Sequence, residues 1–535
     1  MEFKTKPYEH QLTAFERFKD SEYFALFMDM GTGKTKTIID ISAHKYVTNQ
    51  IDAVLIIAPN HVHSQWVLEQ LPMHCPIPYE SVIWSSGKSS SNHFLRRLDT
   101  FSQFNNHKLK FFAVNVEAFQ SDSVLKHIAT YVKRNRVFTV VDEATRIKTP
   151  TAKRSKNIHR LNKYGQRAIL TGTPSAKSPF DLWSQFEFLK ANYFDTTFFI
   201  FKRRYGIMMK GTNRQTGKSF NTLIDERTFN ITKAKVKKLK EERGVDELCD
   251  RDYEMLAAIM DISEKNVRFI AKAPKYTRFK RVEELKEMIA PITYSIKKEQ
   301  CLDLPAKVYE PIYLEMGKEQ KRIYVNLKQQ LIAEFEGQEL TVQNKVALTV
   351  RLMQVCGGFF PYKDDEGISK VKTIEAKNAK IERILEDIDE IDDEQPIIIW
   401  AAFVPEIELL YKELSKHYSC CTYYGKTPSH KRDKIKQDFM EGKYKIFIGN
   451  TAVAGFGLNL QNATIQYYYS NSFSVENRLQ AEDRSHRIGV KTTCVYKDVV
   501  YKNSIDEKVT NAIKTGRSLN DYFKSNSLKE IFSEE

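Results

Sequence analysis

The sequence has no pair of cysteines at C-x-x-C spacing. Its seven cysteines (Cys75, Cys249, Cys301, Cys356, Cys420, Cys421 and Cys494) are scattered, which excludes paired zinc or dithiol redox chemistry and reads as reduced thiols of a cytosolic protein. No stretch approaches the uninterrupted apolar run of a membrane span, and Met1–Lys6 opens no apolar signal segment, so neither export nor membrane insertion is expected. No repeat at a solenoid period is present. Apolar content of 41% with 28% charged residues is neither poor enough nor lopsided enough for wholesale disorder. The acidic run Glu386–Glu394 reads as a solvated helix end or loop.

What the chain does have is length and positive charge. At 535 residues it needs two to four domains, and a formal charge of +15 attracts polyanions, nucleic acid first among them. From Tyr23 to about Leu189, short apolar runs alternate with helical stretches: 23–28, 53–58, 111–116, 137–141 and 168–171 read as strands of a parallel sheet. A charged, mainly helical stretch follows, with a basic run at Lys233, Lys235, Lys237, Lys238 and Lys240. A second set of strands is read at 396–400, 420–424, 444–448 and 464–469, with helices at 405–417 and 429–440. Two long amphipathic helices, 318–335 and 340–356, precede it.

The chemistry sits in the turns after these strands. Gly31-Thr32-Gly33-Lys34-Thr35 lies between a strand and a helix. There glycines let backbone N–H groups approach phosphate, Lys34 reaches the β- and γ-phosphates, and the Thr35 hydroxyl suits Mg²⁺. Met28 stands where the strict P-loop pattern has glycine. Asp142 and Glu143 end an apolar strand about a hundred residues on; Asp142 is expected to hold Mg²⁺ and Glu143 to polarise the attacking water. Thr171 and Thr173, in Leu170-Thr171-Gly172-Thr173-Pro174, place hydroxyls where hydrolysis would be coupled to movement. Gln11 offers an amide to adenine. Arg484 and Arg487, three apart on a stretch read as helical, put two guanidiniums on one face, as fingers for γ-phosphate charge.

Taken in order, these segments resemble the Swi/Snf family of helicase-like, double-stranded-DNA-translocating ATPases of superfamily two. Tyr8–Gln11 is similar to the adenine motif, Gly31–Thr35 to motif I, and Ile56–Pro59 with Gln65–Glu69 to motif Ia. Asp142–Lys148 is similar to motif II, including the Arg146-Ile147-Lys148 extension, and Leu170–Pro174 to motif III. Ile397–Phe403, Thr451–Leu460 and Gln480–Gly489 match motifs IV, V and VI. The resemblance runs from about residue 7 to about residue 510. Three departures stand out: Thr145 replaces the usual histidine, Ser470–Ser474 replaces an Asp and Trp-Asn-Pro stretch, and Lys297-Lys298 replaces paired arginines.

The resemblance implies an α/β fold of two RecA-like lobes, each with a helical protrusion. Lobe 1 is expected at 1–194, its protrusion at 195–290, the linker and start of lobe 2 at 291–314, a helical insertion at 315–375, lobe 2 at 376–520 and a tail at 521–535. ATP and Mg²⁺ are the implied cofactors, with Gly457 and Gln480 added to the nucleotide contacts. ATP would be hydrolysed in the cleft between the lobes. Double-stranded DNA is the implied partner, gripped by its backbone with little sequence preference, at Pro59, Asn60, Arg146, Lys148, Gly425 and Lys426. A monomeric, cytoplasmic motor of compact bacterial or phage type, without chromatin-reader modules and with an unidentified recruiting protein, is the expectation. The alternatives are a strand-separating DNA or RNA helicase, the motor subunit of a restriction or repair complex, and a nucleic-acid-binding regulator with a decayed ATP site.

Overall fold

The computed structural model describes the chain apart from residues 1, 61, 86–90, 104–107, 173, 175–177, 213–218, 303, 335–341, 364–368, 375–377, 455–457, 473, 488 and 517–535. Two compact units divide it: one comprises Met1–Asp29 and Gly33–Cys301, the other Met30–Thr32 and Leu302–Glu535.

The first unit is built on seven strands, β1 (Tyr23–Met28), β2 (Ala53–Ala58), β3 (Tyr79–Ile83), β4 (Leu109–Asn115), β5 (Val137–Asp142), β6 (Gln166–Leu170) and, after the hairpin described below, β9 (Thr293–Ile296). Their order is β3-β4-β2-β5-β6-β1-β9 and every pairing is parallel. Continuous apolar runs suit this sheet because helices cover both faces. In β2, Ala53, Leu55 and Ile57 join one core while Val54, Ile56 and Ala58 join the other, the two-residue period of a strand buried on both sides. Full burial of each Val, Leu or Ile stabilises the sheet by about 1.5–3 kcal/mol.

The stretch before β9 carries the hairpin β7 (Met208–Thr212) and β8 (Ser219–Leu223). With helices Glu226–Arg243, Asp250–Met260 and Glu264–Lys272 it surrounds a separate small core that includes Ile207, Phe229, Tyr253 and Ile270. The sequence reading of a mainly helical stretch did not name the hairpin. Of the basic run, Lys237 and Lys238 face Glu241 and Glu242 across one helical turn at 3.7 and 3.6 Å.

The second unit has β10 (Lys307–Leu314), the hairpin β11 (Phe359–Lys363) and β12 (Ser369–Thr373), then β13 (Ile397–Trp400), β14 (Cys420–Tyr423), β15 (Ile446–Gly449), β16 (Ile465–Tyr468) and β17 (Cys494–Tyr501). The main sheet runs β10-β17-β16-β13-β15-β14, all parallel. Ile397 and Ile399 face one core, Ile398 and Trp400 the other. Helices Lys318–Glu334 and Val342–Cys356 contribute Tyr324, Leu352 and Cys356 to a core shared with Tyr501, Ile505 and Val509. Two parallel, helix-covered sheets are the α/β fold expected of RecA-like lobes.

Two strands fall within 291–314, read from the sequence as the linker and the start of lobe 2. β9, within 291–314, pairs with β1 from Ala25↔Thr293 to Met28↔Ile296 and so belongs to the first sheet. β10 pairs along its whole length with β17, from Lys307↔Cys494 to Leu314↔Tyr501.

Candidate active site

Because all strands of the first sheet are parallel, the turns after β1, β2, β4, β5 and β6 leave it at one edge, where ligands of such sheets bind. That edge collects Lys34, Pro59, Asp142, Glu143 and Thr171, residues up to 137 positions apart by their numbering (171 − 34).

After β1 the chain turns through Gly31 and Gly33, at φ +76° and +86°, into helix α2 of this account, Lys34–Val47, which follows α1 at Glu9–Phe18. Positive φ is open to glycine without strain. A Cβ on Gly33 would lie 2.2 Å from the Gln11 side-chain nitrogen, so this glycine is required by close approach as well. Gln11 is buried, and its carbonyl oxygen accepts the Tyr8 N–H at 3.1 Å. The amide is thereby fixed against the cradle. Lys34 donates its ammonium to the carbonyls of Met28 (2.8 Å) and Asp29 (3.0 Å), which holds the charge at the loop until a stronger acceptor competes. Thr35 is half-buried in the first turn of α2. Thr32 lies in the same loop.

Asp142 is the last residue of β5 and is buried. Burial pushes its carboxyl above the usual carboxylate range; the Trp66 hydrogen bond, the Lys34 charge and the Glu143 N–H pull the other way. The Trp66 indole donates to Oδ2 at 2.9 Å, and the Glu143 N–H donates to Oδ1 at 2.9 Å. Glu143 stands at φ +53°, a conformation that costs a non-glycine residue about 1 kcal/mol or more and that clusters at active sites. Its turn starts a short helical turn, Ala144–Ile147, whose end is fixed by Ser155 Oγ donating to the Ile147 carbonyl at 3.3 Å. Thr145 is buried in that turn, Arg146 is half-buried, and Lys148 lies 3.9 Å from Asp181. Thr171 is buried beyond β6, its N–H donated to the Leu26 carbonyl at 3.1 Å. Thr173 lies outside the described residues.

The donor set fits a magnesium nucleotide: a cradle that a Cβ would fill, an ammonium already seated on oxygens, and a buried carboxylate sensing that ammonium. Two members were missed in the sequence. Asp29 accepts the Lys298 N–H at 2.9 Å and donates its own N–H to Ile296 at 3.1 Å, tying β9 to the cradle. Trp66, quoted only as part of a motif, is a direct partner of Asp142.

In the second unit, helix Val475–Glu482 ends before either arginine. Arg484 and Arg487 therefore sit on turns, not on the helical face expected from their spacing. The helix stops because the next groups pair with Leu460: the Arg484 carbonyl accepts the Leu460 N–H at 3.0 Å, and Ser485 Oγ donates to the Leu460 carbonyl at 3.1 Å. Both guanidiniums nonetheless reach one acceptor, the Leu458 carbonyl, at 3.3 Å from Arg484 and 3.5 Å from Arg487. Gln480 is buried in the helix, with its amide 3.5 Å from Glu476. Gly457 lies outside the described residues.

Beneath these turns, Arg478 is buried against the Tyr468 ring at 3.3 Å and donates to Glu482 (2.8 Å), Asp498 (2.5 Å) and Asn471 (2.8 Å). Tyr309 donates to the other Glu482 oxygen at 2.8 Å. Of the candidate DNA contacts, Pro59 is buried and Asn60 exposed after β2, and Gly425 and Lys426 are exposed after β14, with Lys426 2.7 Å from Glu408. Among the described residues no group of acidic, histidine and cysteine side chains forms a metal cluster of its own, and no described helix is long and apolar enough to cross a membrane.

A family model described as the SNF2-related domain matches residues 22–358, and one described as the helicase conserved C-terminal domain matches residues 376–489. The ATP-dependent helicase FUN30 of Saccharomyces cerevisiae is 23% identical over 520 residues, covering 92% of this chain and 44% of that protein. The putative ATP-dependent helicase/translocase YwqA of Bacillus subtilis is 23% identical over 506 residues, covering 92% of this chain and 45% of that protein. The chain thus spans less than half the length of these relatives. Among solved structures, the SWI2/SNF2 ATPase core of Sulfolobus solfataricus in complex with double-stranded DNA is 19% identical, with 99% of this chain and 97% of that chain covered and a TM-score of 0.37. With the SNF2-related model matched over more than half of its length and the helicase C-terminal model following it, the chain belongs to the SNF2-related family of helicase-like ATP hydrolases.

Proposed function

We propose that this protein is an ATP-driven translocase on double-stranded DNA that remodels DNA or DNA-bound protein. The observation that carries the reading is the convergence of Lys34, Asp142, Glu143 and Thr171 at one edge of a parallel sheet, with Arg146 and Lys148 in the turn directly after the acidic pair. A nucleotide held by Gln11, Gly31–Thr35 and Gln480 would have its γ-phosphate beside Lys34. Thr35 and Asp142 would hold Mg²⁺, which supplies charge neutralisation at the phosphates. Glu143 orients and polarises the attacking water, while Arg484 and Arg487 of the second unit neutralise charge in the transition state.

Turns after the strands also offer groups suited to phosphates of a duplex: Pro59-Asn60, Arg146 and Lys148 in the first unit, Gly425 and Lys426 in the second. Such contacts give strong salt dependence and little base preference. Thr171 and Thr173 would couple hydrolysis to movement. The domain plan read from the sequence, with divisions near 194, 290, 314, 375 and 520, belongs to this proposal, and the participation of β9 in the first sheet moves the connector past residue 296.

The test is displacement of a fluorescent third strand from a triplex at one end of a duplex, run beside a forked-duplex unwinding assay. ATP-dependent triplex displacement without strand separation is expected. Unwinding of the fork would establish a strand-separating helicase in its place.

A further inference from the structure

The indole of Trp66 makes a contact that packing alone does not require. The ring is 1% exposed within the core that also holds Leu71 and Ile56, where a phenylalanine or leucine would bury comparable apolar surface. Instead its single N–H is directed at Oδ2 of Asp142, 2.9 Å away and itself 7% exposed. An indole donates one hydrogen bond and accepts none, and a ring locked by packing fixes the plane of the carboxylate it holds. The second oxygen is held at 2.9 Å by the Glu143 N–H, from a backbone turn at φ +53°. Each oxygen keeps a lone pair, and neither donor is a cation.

The segment that delivers Trp66 starts at the turn after β2. Pro59 is buried and Asn60 exposed. Helix Val62–Gln65 follows, then a π-helical turn, Trp66–Gln70, in which the Leu71 N–H reaches back five residues to the Trp66 carbonyl. Such widened turns are uncommon and concentrate at functional sites. A π turn and an α turn differ by one residue in hydrogen-bond register, so a change from one to the other would re-aim the side chain at the turn's first residue. His63, in the preceding helix, is anchored to the Trp84 carbonyl at 3.3 Å.

We propose that Trp66 is a positioning residue for the metal-binding carboxylate, and that contact of a duplex with the Pro59–Asn60 turn is transmitted to Asp142 through it. This rests on the reading of Pro59 and Asn60 as DNA contacts and of Asp142 as a magnesium ligand. It gives DNA stimulation of hydrolysis a physical route: the duplex sets the π turn, the indole sets the carboxylate, and the carboxylate sets the metal.

The chain has four tryptophans, so biosynthetic 5-fluorotryptophan gives four ¹⁹F resonances in the full-length protein, and Trp66→Phe identifies that of Trp66. The Trp66 resonance is expected to move when Mg²⁺ is added to the protein bound to a non-hydrolysable ATP analogue, to stay when the analogue is added with EDTA, and to move again with duplex DNA. In Trp66→Phe, the Mg²⁺ concentration for half-maximal hydrolysis should rise at least tenfold and the DNA stimulation ratio fall at least fivefold, with analogue affinity in EDTA within twofold of wild type. A Trp66 resonance indifferent to duplex DNA, in protein whose hydrolysis DNA does stimulate, overturns the transmission. One indifferent to Mg²⁺ overturns the positioning role. If DNA fails to stimulate hydrolysis, the proposed function falls and the transmission with it, while the Mg²⁺ arm still decides the positioning. Should Trp66→Phe not fold, the resonance is assigned by exclusion from Trp84→Phe, Trp183→Phe and Trp400→Phe, and the wild-type shifts decide.

Discussion

The two units share an architecture and divide the chemistry differently. In the first, the chemical groups stand directly at strand ends: Asp142 closes β5, Glu143 follows it, and Lys34 is six residues beyond the end of β1 by numbering (34 − 28). Lys34 is held by backbone carbonyls, and Asp142 by a backbone N–H and a buried indole. In the second, Arg484 and Arg487 sit on turns after a helix and are held from below, through Leu458 and through Glu482, whose carboxylate is bound by Arg478, Lys307 and Tyr309. A site of the first kind takes its placement from the sheet and the turns that leave it. A site of the second kind depends on a side-chain network, and its arginines are only as well placed as that network.

That contrast can be broken at several points. Removing a charge that acts only in the transition state should do most: Arg487→Ala is expected to lower kcat by about 10³, with ATP affinity nearly unchanged. Steady-state kinetics beside nucleotide binding checks this, and a loss confined to KM would make Arg487 a mere binding group. Arg478→Met should reach the arginines indirectly. It leaves Asp498 and Glu482 buried without their guanidinium, at a cost of about 3–5 kcal/mol. Urea unfolding should show this loss in the second unit alone, and an unchanged transition would mean the network is not what holds the turn. Glu143→Gln should retain ATP and hydrolyse it about a hundredfold more slowly, because the water loses its polarising carboxylate; near-normal turnover would remove Glu143 from that role.

A pH effect should also separate the units. Glu406 is buried, and its Oε2 accepts the N–H groups of Ala402 (3.1 Å) and Phe403 (3.0 Å) and the hydroxyl of Ser470. Burial pushes its carboxyl up to about 7 from 4.5; the Ser470 bond, the Phe403 N–H and the Lys380 charge only partly oppose this, and Asp506 adds to it. The folded state therefore holds the proton to higher pH than the unfolded state does. The contribution of this group to stability therefore falls as pH rises from about 4.5 to about 7 and is level above. Glu406→Gln should lack that contribution and be more stable than wild type at pH 8 by on the order of 2 kcal/mol. Melting curves at pH 4.5 and 8 read the difference, and parallel curves would refute it. The smallest effect belongs to Lys426→Ala, which should weaken duplex binding modestly and reduce the slope of log K against log salt by about 1; an unchanged slope would remove Lys426 from the phosphate contacts.

How much of this was legible follows the same contrast. β1 and β2 were read to the residue, because Tyr23–Met28 and Ala53–Ala58 are unbroken apolar runs bounded by polar turns. β3, with Glu80 and Ser81 in its middle, and β9, four residues long, carry too weak a pattern to stand out. β10 hides for another reason: it is an edge strand, largely exposed, with Pro311 inside it. Proline is tolerated at an edge and argues against a strand when met in sequence. The Lys34, Asp142 and Glu143 positions were legible because a parallel sheet delivers its turns to one side. Trp66 was not, since its bond to Asp142 spans 76 positions and no local pattern encodes it. The helix break before Arg484 was likewise invisible, because it depends on pairing with Leu460.

The central claim is that this fold hydrolyses ATP in response to duplex DNA. The most direct measurement is steady-state ATP hydrolysis with no nucleic acid, duplex DNA, single-stranded DNA and duplex RNA, with Glu143→Gln as the blank. The account predicts that duplex DNA raises turnover at least tenfold above the protein alone and above single strands; preferential stimulation by single strands or RNA, or turnover no higher than that of Glu143→Gln under every condition, would contradict it.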